Sequence, residues 1–392
     1  MRNKGWRFSG NELQYVKETL ESGFSAGDCG SFNDRLEQAF AQAHGVPYAI
    51  TSNSGTSTLH MALHSFGVTV GDEVLIPALA PAMCGYAVWH AQATPVYVDV
   101  LADTFLMDPE DIERKITKKT KAIMPVHLYG LMCDMEGVSR LAQKYNLYVL
   151  EDCAQCFFAK DDKNRWSGTV GDVGSWSFEN SKHLSTGDGG IVATNSADLA
   201  LKMRQFGGVG FKNLTEKTGK TRISRDKFQD PNWERHTVLA YNYRLPELCA
   251  AVGLAQMERY DALIEKRVLM AKGYLKAIHE SQTDLLVPQV VPAGYHHVYY
   301  TFAARFNGEK DGVSWFDFRK KYMSYGGDGI YAAWKTINNE PCFRRPKLGW
   351  GEVPVSERLQ ASLMQFTTNQ SDEEERKTQA NALSKTLAYF KS

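Results

Sequence analysis

Tyr48-Ala49-Ile50-Thr51-Ser52 is a short, largely apolar extended run that passes through Asn53-Ser54-Gly55 into Thr56-Ser57-Thr58-Leu59-His60-Met61-Ala62-Leu63, where the apolar spacing becomes helical. A strand that turns into a helix within three residues is the opening unit of an α/β layer structure. The unit recurs. Further strands are predicted at Glu73-Pro77, Pro95-Val100, Ala122-Val126, Leu147-Glu151, Gly174-Phe178 and Gly190-Thr194, with helices at Thr56-Ser65, Ala82-His90, Pro109-Ile116 and Asp134-Lys144. Several of these strands are largely apolar, as parallel strands covered on both faces should be. Helices near Asn11-Leu20 and Asn33-Gln42 precede them as an arm or packing layer. The expected architecture over residues 1–245 is α/β, with one large, mostly parallel seven-stranded sheet flanked by helices.

The pattern breaks at residues 211–237, a polar stretch with seven Lys or Arg residues against four acids. It reads either as a solvated insertion or as a basic grip for a diphosphate. A helix is predicted from Pro246 to Tyr260, and residues 246–392 read as a smaller α+β C-terminal domain. Its elements are a strand over His297-Arg305, a helix from Trp315 to Tyr322, and a last helix opened by a capping box at Ser371-Asp372-Glu373-Glu374 and ending near Tyr389.

At 392 residues the chain is long enough for a sizeable core and two domains. Its 45 bases balance its 45 acids, so no global field recommends nucleic acid or an acidic membrane as a partner. No apolar stretch approaches the roughly 20 residues of a bilayer span, and the start at Met1 to Trp6 has no signal-peptide core. The seven cysteines, at 29, 84, 133, 153, 156, 249 and 342, are odd in number and scattered, which points to free thiols in a reducing, cytoplasmic setting. Cys153-Ala154-Gln155-Cys156 has CxxC spacing, but no second pair accompanies it and no metal site is expected.

Three local features carry chemistry. The turn Thr51 to Ser57 offers helix N-terminal N–H groups at the carboxyl end of the sheet, suited to a phosphate or simply to a Ser/Thr cap. Glu151-Asp152 ends an apolar strand, so a carboxylate faces the same crevice or forms a structural ion pair. Lys182 stands five residues after Ser177 and just before Gly187-Asp188-Gly189-Gly190, where backbone can approach a ligand closely. Taken in order, a phosphate turn, a strand-end Asp and a lysine are the set pyridoxal 5'-phosphate requires: a phosphate anchor, a partner for the pyridine nitrogen and a Schiff-base amine.

On these residues the chain resembles the DegT/DnrJ/EryC1/StrS sugar aminotransferases, within the fold type I pyridoxal phosphate enzymes similar to aspartate aminotransferase. The likeness runs over nearly the whole length, through Ser54-Gly55-Thr56, Gly71-Asp72-Glu73-Val74, Pro125 to Gly130, Glu151 to Gln155, Ser177 to Gly190, and Tyr241-Asn242-Tyr243-Arg244. The resemblance implies that Lys182 is the catalytic Schiff-base lysine and proton shuttle. It implies that Asp152 holds the ring nitrogen, Gln155 meets the ring hydroxyl, and Ser177 with Gly55, Thr56 and Ser57 binds the phosphate. Asn242 would reach the phosphate of a neighbouring subunit, which implies a homodimer with shared active sites. His127 and Tyr129 match a motif near the cofactor. One position departs from the family pattern: Pro81 stands where an aromatic ring usually stacks on the pyridine, leaving Met83 or Tyr86 as substitutes.

The expected activity is transfer of an amino group from glutamate or glutamine to a keto-sugar, most simply one linked to a nucleotide diphosphate, as in amino-sugar and polysaccharide biosynthesis. A related branch of dehydratases has histidine at the lysine position. Here Lys182, not His183, holds that register, which favours transamination. A cyclitol aminotransferase acting on a keto-inositol and a pyridoxal phosphate-binding regulator are the alternatives. No G-x-G-x-x-G opens a helix after any strand, which argues against a nicotinamide enzyme.

Overall fold

The computed structural model describes residues 5–24, 31–219 and 223–391. Met1 to Lys4 of the N-terminal reading, Cys29, and Lys220 and Arg222 of the polar stretch lie outside them. Seven strands form the main sheet: β1 (Tyr48–Ser52), β2 (Glu73–Pro77), β3 (Thr94–Val98), β4 (Thr120–Ile123), β5 (Tyr148–Asp152), β6 (Val173–Ser177) and β7 (Gly190–Thr194). Their order is β1-β7-β6-β5-β4-β2-β3. All pairings are parallel except those of β7, which runs antiparallel to both β1 and β6. β2, β6 and β7 are buried along their whole length, which accounts for the largely apolar runs of β2 and β7.

The helices that cover this sheet begin with α1 (Glu12–Glu21), α2 (Phe32–His44), α3 (Gly55–Ser65) and α4 (Met83–His90). They continue with α5 (Pro109–Lys115), α6 (Met135–Tyr145) and α7 (Ala197–Gly207). Local chemistry sets their ends. Ser54 accepts the Ser57 N–H at the start of α3, Asp134 accepts from Gly137 at α6, and Gly45 closes α2 in the left-handed conformation. α7 had no counterpart in the sequence reading.

The polar stretch contains one short helix, α8 (Arg225–Gln229). The helix predicted from Pro246 to Tyr260 ends sooner, as α9 (Glu247–Met257), and after a break at Arg259 the long α10 (Tyr260–Ser281) begins. Ala250, Ala251, Leu254 and Met257 of α9 belong to the core of the main sheet, although the expected boundary at residues 245/246 precedes them. A second core joins α10 to an antiparallel sheet of β8 (Leu286–Pro288), β9 (Phe302–Phe306), β10 (Ile330–Ala332) and β11 (Leu363–Phe366), ordered β10-β11-β9-β8. Helices α11 (Trp315–Ser324), α12 (Pro341–Arg344), α13 (Pro354–Ser362) and α14 (Glu373–Lys391) complete the chain.

Two expectations here are corrected. The strand predicted over His297-Arg305 is regular only from Phe302, because the Val298 N–H bonds to the Gly130 carbonyl and Tyr299 adopts φ +45. The capping box of the last helix lies one residue later. Asp372 accepts the Glu375 N–H at 2.9 Å while the Glu375 carboxylate takes the Ser371 N–H at 2.8 Å.

Candidate active site

The carboxyl ends of β2, β5 and β6 and the start of α3 lie along one edge of the sheet, the edge where α/β proteins place ligands. At the end of β5, Glu151 and Asp152 follow each other and so face opposite ways. Glu151 is sealed in the core. Its carboxylate faces His127 Nε2 at 2.8 Å and accepts the N–H groups of Gly168, Val170 and Gly171. The Cys133 N–H donates to His127 Nδ1 at 3.1 Å, which fixes the proton on Nε2, toward Glu151. Burial alone would raise the Glu151 pKa, but the His127 ring and these N–H donors hold it below 4.5. His127, Glu151 and Cys153 present donor atoms within 4.8 Å of one another, yet the histidine and carboxylate already satisfy each other. His127 is therefore a buttress behind the site.

Asp152 is buried but far less saturated. Its Oδ1 accepts the Ala154 N–H at 2.9 Å and its Oδ2 the Cys84 thiol at 3.2 Å. Three residues on, Gln155 accepts the Tyr129 N–H at 2.9 Å through Oε1, holding the positive-φ backbone of Tyr129 (φ 66) beside it.

Lys182 rides on the connection between β6 and β7. Its Nζ lies 4.7 Å from the centre of the Tyr300 ring. Two guanidiniums grip its backbone from behind: Arg7 donates to the carbonyls of Asn180 and Lys182, and Arg267 to those of Ser181, Lys182 and Tyr300. Both are buried without a salt bridge among the described residues. Burial, and then the charge of Arg7, pull the Arg267 pKa down. His183 points the other way. It is buried against the Val298 carbonyl at 2.9 Å, and burial followed by the charge of Arg267 keeps it neutral.

At the first turn of α3, Gly55 and Thr56 make no hydrogen bond through their N–H groups among the described residues. Ser57 does not share this freedom, since its N–H is capped by Ser54 and its hydroxyl donates to Asn53. Ser177 closes against Gly55, where an added Cβ would lie 2.6 Å from the Ser177 Cβ.

A cleft of about 400 Å³ opens beside Lys182, walled by Pro81, Tyr129, Gln155, Ser181, Arg267, Tyr300, Tyr331, Trp334, Gln365 and Asn369. Met83 and Tyr86 are not in this wall, and the Tyr86 ring stacks on Phe343 at 5.3 Å. Asn242 is exposed and pairs with Gly208, away from the cleft of its own chain. No described residue of 211–237 lines that cleft either.

A model of the DegT/DnrJ/EryC1/StrS aminotransferase family matches residues 7–377. The chain belongs to that family. Among curated relatives of this aminotransferase, GDP-perosamine synthase of Escherichia coli O157:H7 is 40% identical over 271 residues, 69% of either chain. The UDP-N-acetyl-3-dehydro-alpha-D-glucosamine 3-aminotransferase of Acidithiobacillus ferrooxidans is 38% identical, over 71% of this chain and 69% of its own. Among solved structures, an aminotransferase of Psychrobacter cryohalolentis superposes with a TM-score of 0.86 at 28% identity, over 97% of both chains. The fold is the type I aminotransferase architecture expected.

Within the aminotransferase, the structure sets Pro81 and Gln155 in the cleft wall, Lys182 beside it on the Tyr300 ring, and Asp152, Ser177, Gly55 and Thr56 on the same sheet edge. Sequence reasoning missed Arg7, Arg267, Tyr300 and Cys84. The first three carried no local signal, because each meets the lysine loop only through the folded chain. Cys84 was noted only as one thiol of seven. All six described cysteines are free.

Proposed function

We propose that this aminotransferase uses pyridoxal 5'-phosphate to move an amino group from glutamate to a keto-sugar carried on a nucleoside diphosphate, as a cytoplasmic homodimer. The observation that carries the reading is the convergence of an amine, an unsaturated carboxylate and a helix N-terminus with open N–H groups on one sheet edge. The residues fit the cofactor. Gly55 is what allows Ser177 to close on α3, and the N–H groups of Gly55 and Thr56 with the Ser177 hydroxyl offer the donors a phosphate needs. Asp152 has acceptor capacity left for the pyridine nitrogen, and Gln155 stands ready for the ring hydroxyl.

When bound, pyridoxal phosphate supplies an electron sink for the pair left behind when a proton leaves the carbon that carries nitrogen. Lys182 Nζ takes that proton, holds it and returns it, so the face it occupies decides the configuration of the new amine. Arg7 and Arg267 keep the lysine backbone fixed while its side chain moves. Tyr331 and Trp334, 61% and 58% exposed, offer flat faces to a sugar ring, and Gln365 and Asn369 offer amides for its hydroxyls. The nucleotide-linked sugars in the names of the two curated relatives support this substrate class. In the homodimer, Asn242 and the stretch 211–237 serve the partner subunit's cleft.

Lys182→Ala is expected to remove the visible absorbance of the lysine-linked cofactor, to leave no lysine adduct after borohydride reduction, and to abolish turnover. An unchanged band in that variant refutes the reading. Assays with glutamate and either a nucleotide-linked keto-sugar or a keto-inositol separate the sugar substrate from a cyclitol.

A further inference from the structure

Cys84 belongs to none of the motifs that located the site, yet its thiol touches the carboxylate at the centre of it. It is the second residue of α4 and fully buried, with Sγ 3.2 Å from Asp152 Oδ2. Its own N–H bonds to the Pro81 carbonyl at 3.2 Å. One turn therefore presents Pro81 to the cleft and the buried Cys84 thiol to Asp152.

The start of α4 is wedged. A Cβ added at Gly85 would lie 2.6 Å from the Phe343 ring and 2.9 Å from Ile337, so the helix cannot rotate to withdraw the thiol. No water competes at a fully buried sulfur. Burial, and then the charge of Asp152, push the thiol pKa far up, with the Lys182 ammonium only partly opposing them, so the group stays S–H and keeps its proton to donate.

We infer that Cys84 is a positioning residue for Asp152: its thiol and the Ala154 N–H fix the plane of the carboxylate and leave the remaining lone pairs of Oδ2 to the ring nitrogen of the cofactor. The inference rests on the proposed function. A thiol suits the task because it is a weak donor. It orients the oxygen while withdrawing little of the negative charge that must favour a protonated pyridine. The arrangement matters more in this chain because Pro81 offers less contact area than a stacked aromatic ring, which leaves more of the cofactor's hold to the Asp152 pair.

The test compares binding of two ligands to cofactor-free protein by fluorescence quenching: pyridoxal phosphate, and its 1-deaza analogue, in which a carbon replaces the pyridine nitrogen. Cys84→Ala should weaken pyridoxal phosphate about 5-fold, the scale of one ordinary hydrogen bond and fitting a weak thiol donor, and the deaza analogue less than about 2-fold. Cys84→Ser, which restores a donor, should recover most of the loss. Cys84→Val, close in size to cysteine but without a donor, should repeat the alanine result if the alanine cavity prevents folding. Equal losses for both ligands would reduce Cys84 to a packing residue, and an unchanged affinity for pyridoxal phosphate would overturn the inference outright. A wild-type protein that binds neither ligand overturns the cofactor reading, and this inference with it. Wild-type binding that Cys84→Ala leaves intact sinks the inference alone.

Discussion

Glu151 and Asp152 are adjacent on β5, yet they sit in two regions built on opposite principles. Behind the strand, Glu151 has four donors for its two oxygens and no access to solvent. In front, Asp152 has two donors, at the end of β5 and three residues before Gln155 of the cleft wall. A carboxylate offers about four acceptor positions, so the first is full and the second is half empty. The same contrast separates His127, whose two ring nitrogens are both paired in the core, from Lys182, whose Nζ rests on a tyrosine face. What marks a functional group here is unspent bonding capacity at a place a ligand can reach. Burial alone does not distinguish it.

The sharpest test of this contrast exchanges each carboxylate for its amide. Glu151→Gln points an NH₂ group at donors, and should cost about 2 to 6 kcal/mol of stability, since the two donors that faced that oxygen are left unpaired at about 1 to 3 kcal/mol each. Asp152→Asn should cost under about 1 kcal/mol and instead weaken cofactor binding. Equal melting temperatures for the two variants would break the comparison. The pH dependence follows in sign. Because the folded-state pKa of Glu151 lies below 4.5, its contribution is present above that pH and drains away as pH falls through the folded value. Glu151→Gln should flatten the acid limb of a stability profile measured by denaturant titration.

A smaller effect is expected from the grip on the lysine loop. Arg7→Met removes two charge-assisted bonds to the Asn180 and Lys182 carbonyls, worth about 1.5 to 3 kcal/mol each, but also its own buried charge and its repulsion with Arg267, for a net loss of about 1 to 3 kcal/mol. Thermal unfolding and kcat should both fall, and Arg7→Lys should recover part of each. Smallest is the far wall of the cleft. Trp334→Ala should raise KM for the keto-sugar about 10-fold, the scale of one lost aromatic contact, and leave the half-reaction with glutamate unchanged. A fall in the glutamate half-reaction would move Trp334 from the sugar to the centre of the chemistry.

Much of this was legible beforehand because it is local. β1, β2 and β7 have the predicted bounds, since each is a short run with turn residues at both ends. The turn from Asn53 to Ser57 into α3, the strand end at Asp152 and the loop position of Lys182 were readable for the same reason, each being fixed by its immediate neighbours. α10 escaped because Tyr260 follows α9 with hardly a break, whereas α7 was missed although its Ser196 cap and its apolar face were readable. The residues that hold the lysine come from positions 7 and 267, which no window around residue 182 contains. Tyr300 was placed in a strand. The left-handed backbone of Tyr299 ahead of it, which lifts it to the cleft, is imposed by the Gly130 contact of Val298.

The reversed direction of β7 has a consequence for the order of assembly. Ser177 of β6 pairs directly with Gly190 of β7, so the segment carrying Lys182 is the loop of a local hairpin, whereas β1, the other neighbour of β7, comes from residues 48–52. Closing a short loop costs less entropy than joining distant strands, and local pairings are the ones that speed folding. The hairpin that presents the lysine can therefore form before the sheet has its edge strand. In pulse-labelled hydrogen exchange during refolding, the Gly174–Ala193 pairing should gain protection ahead of Tyr48–Thr194.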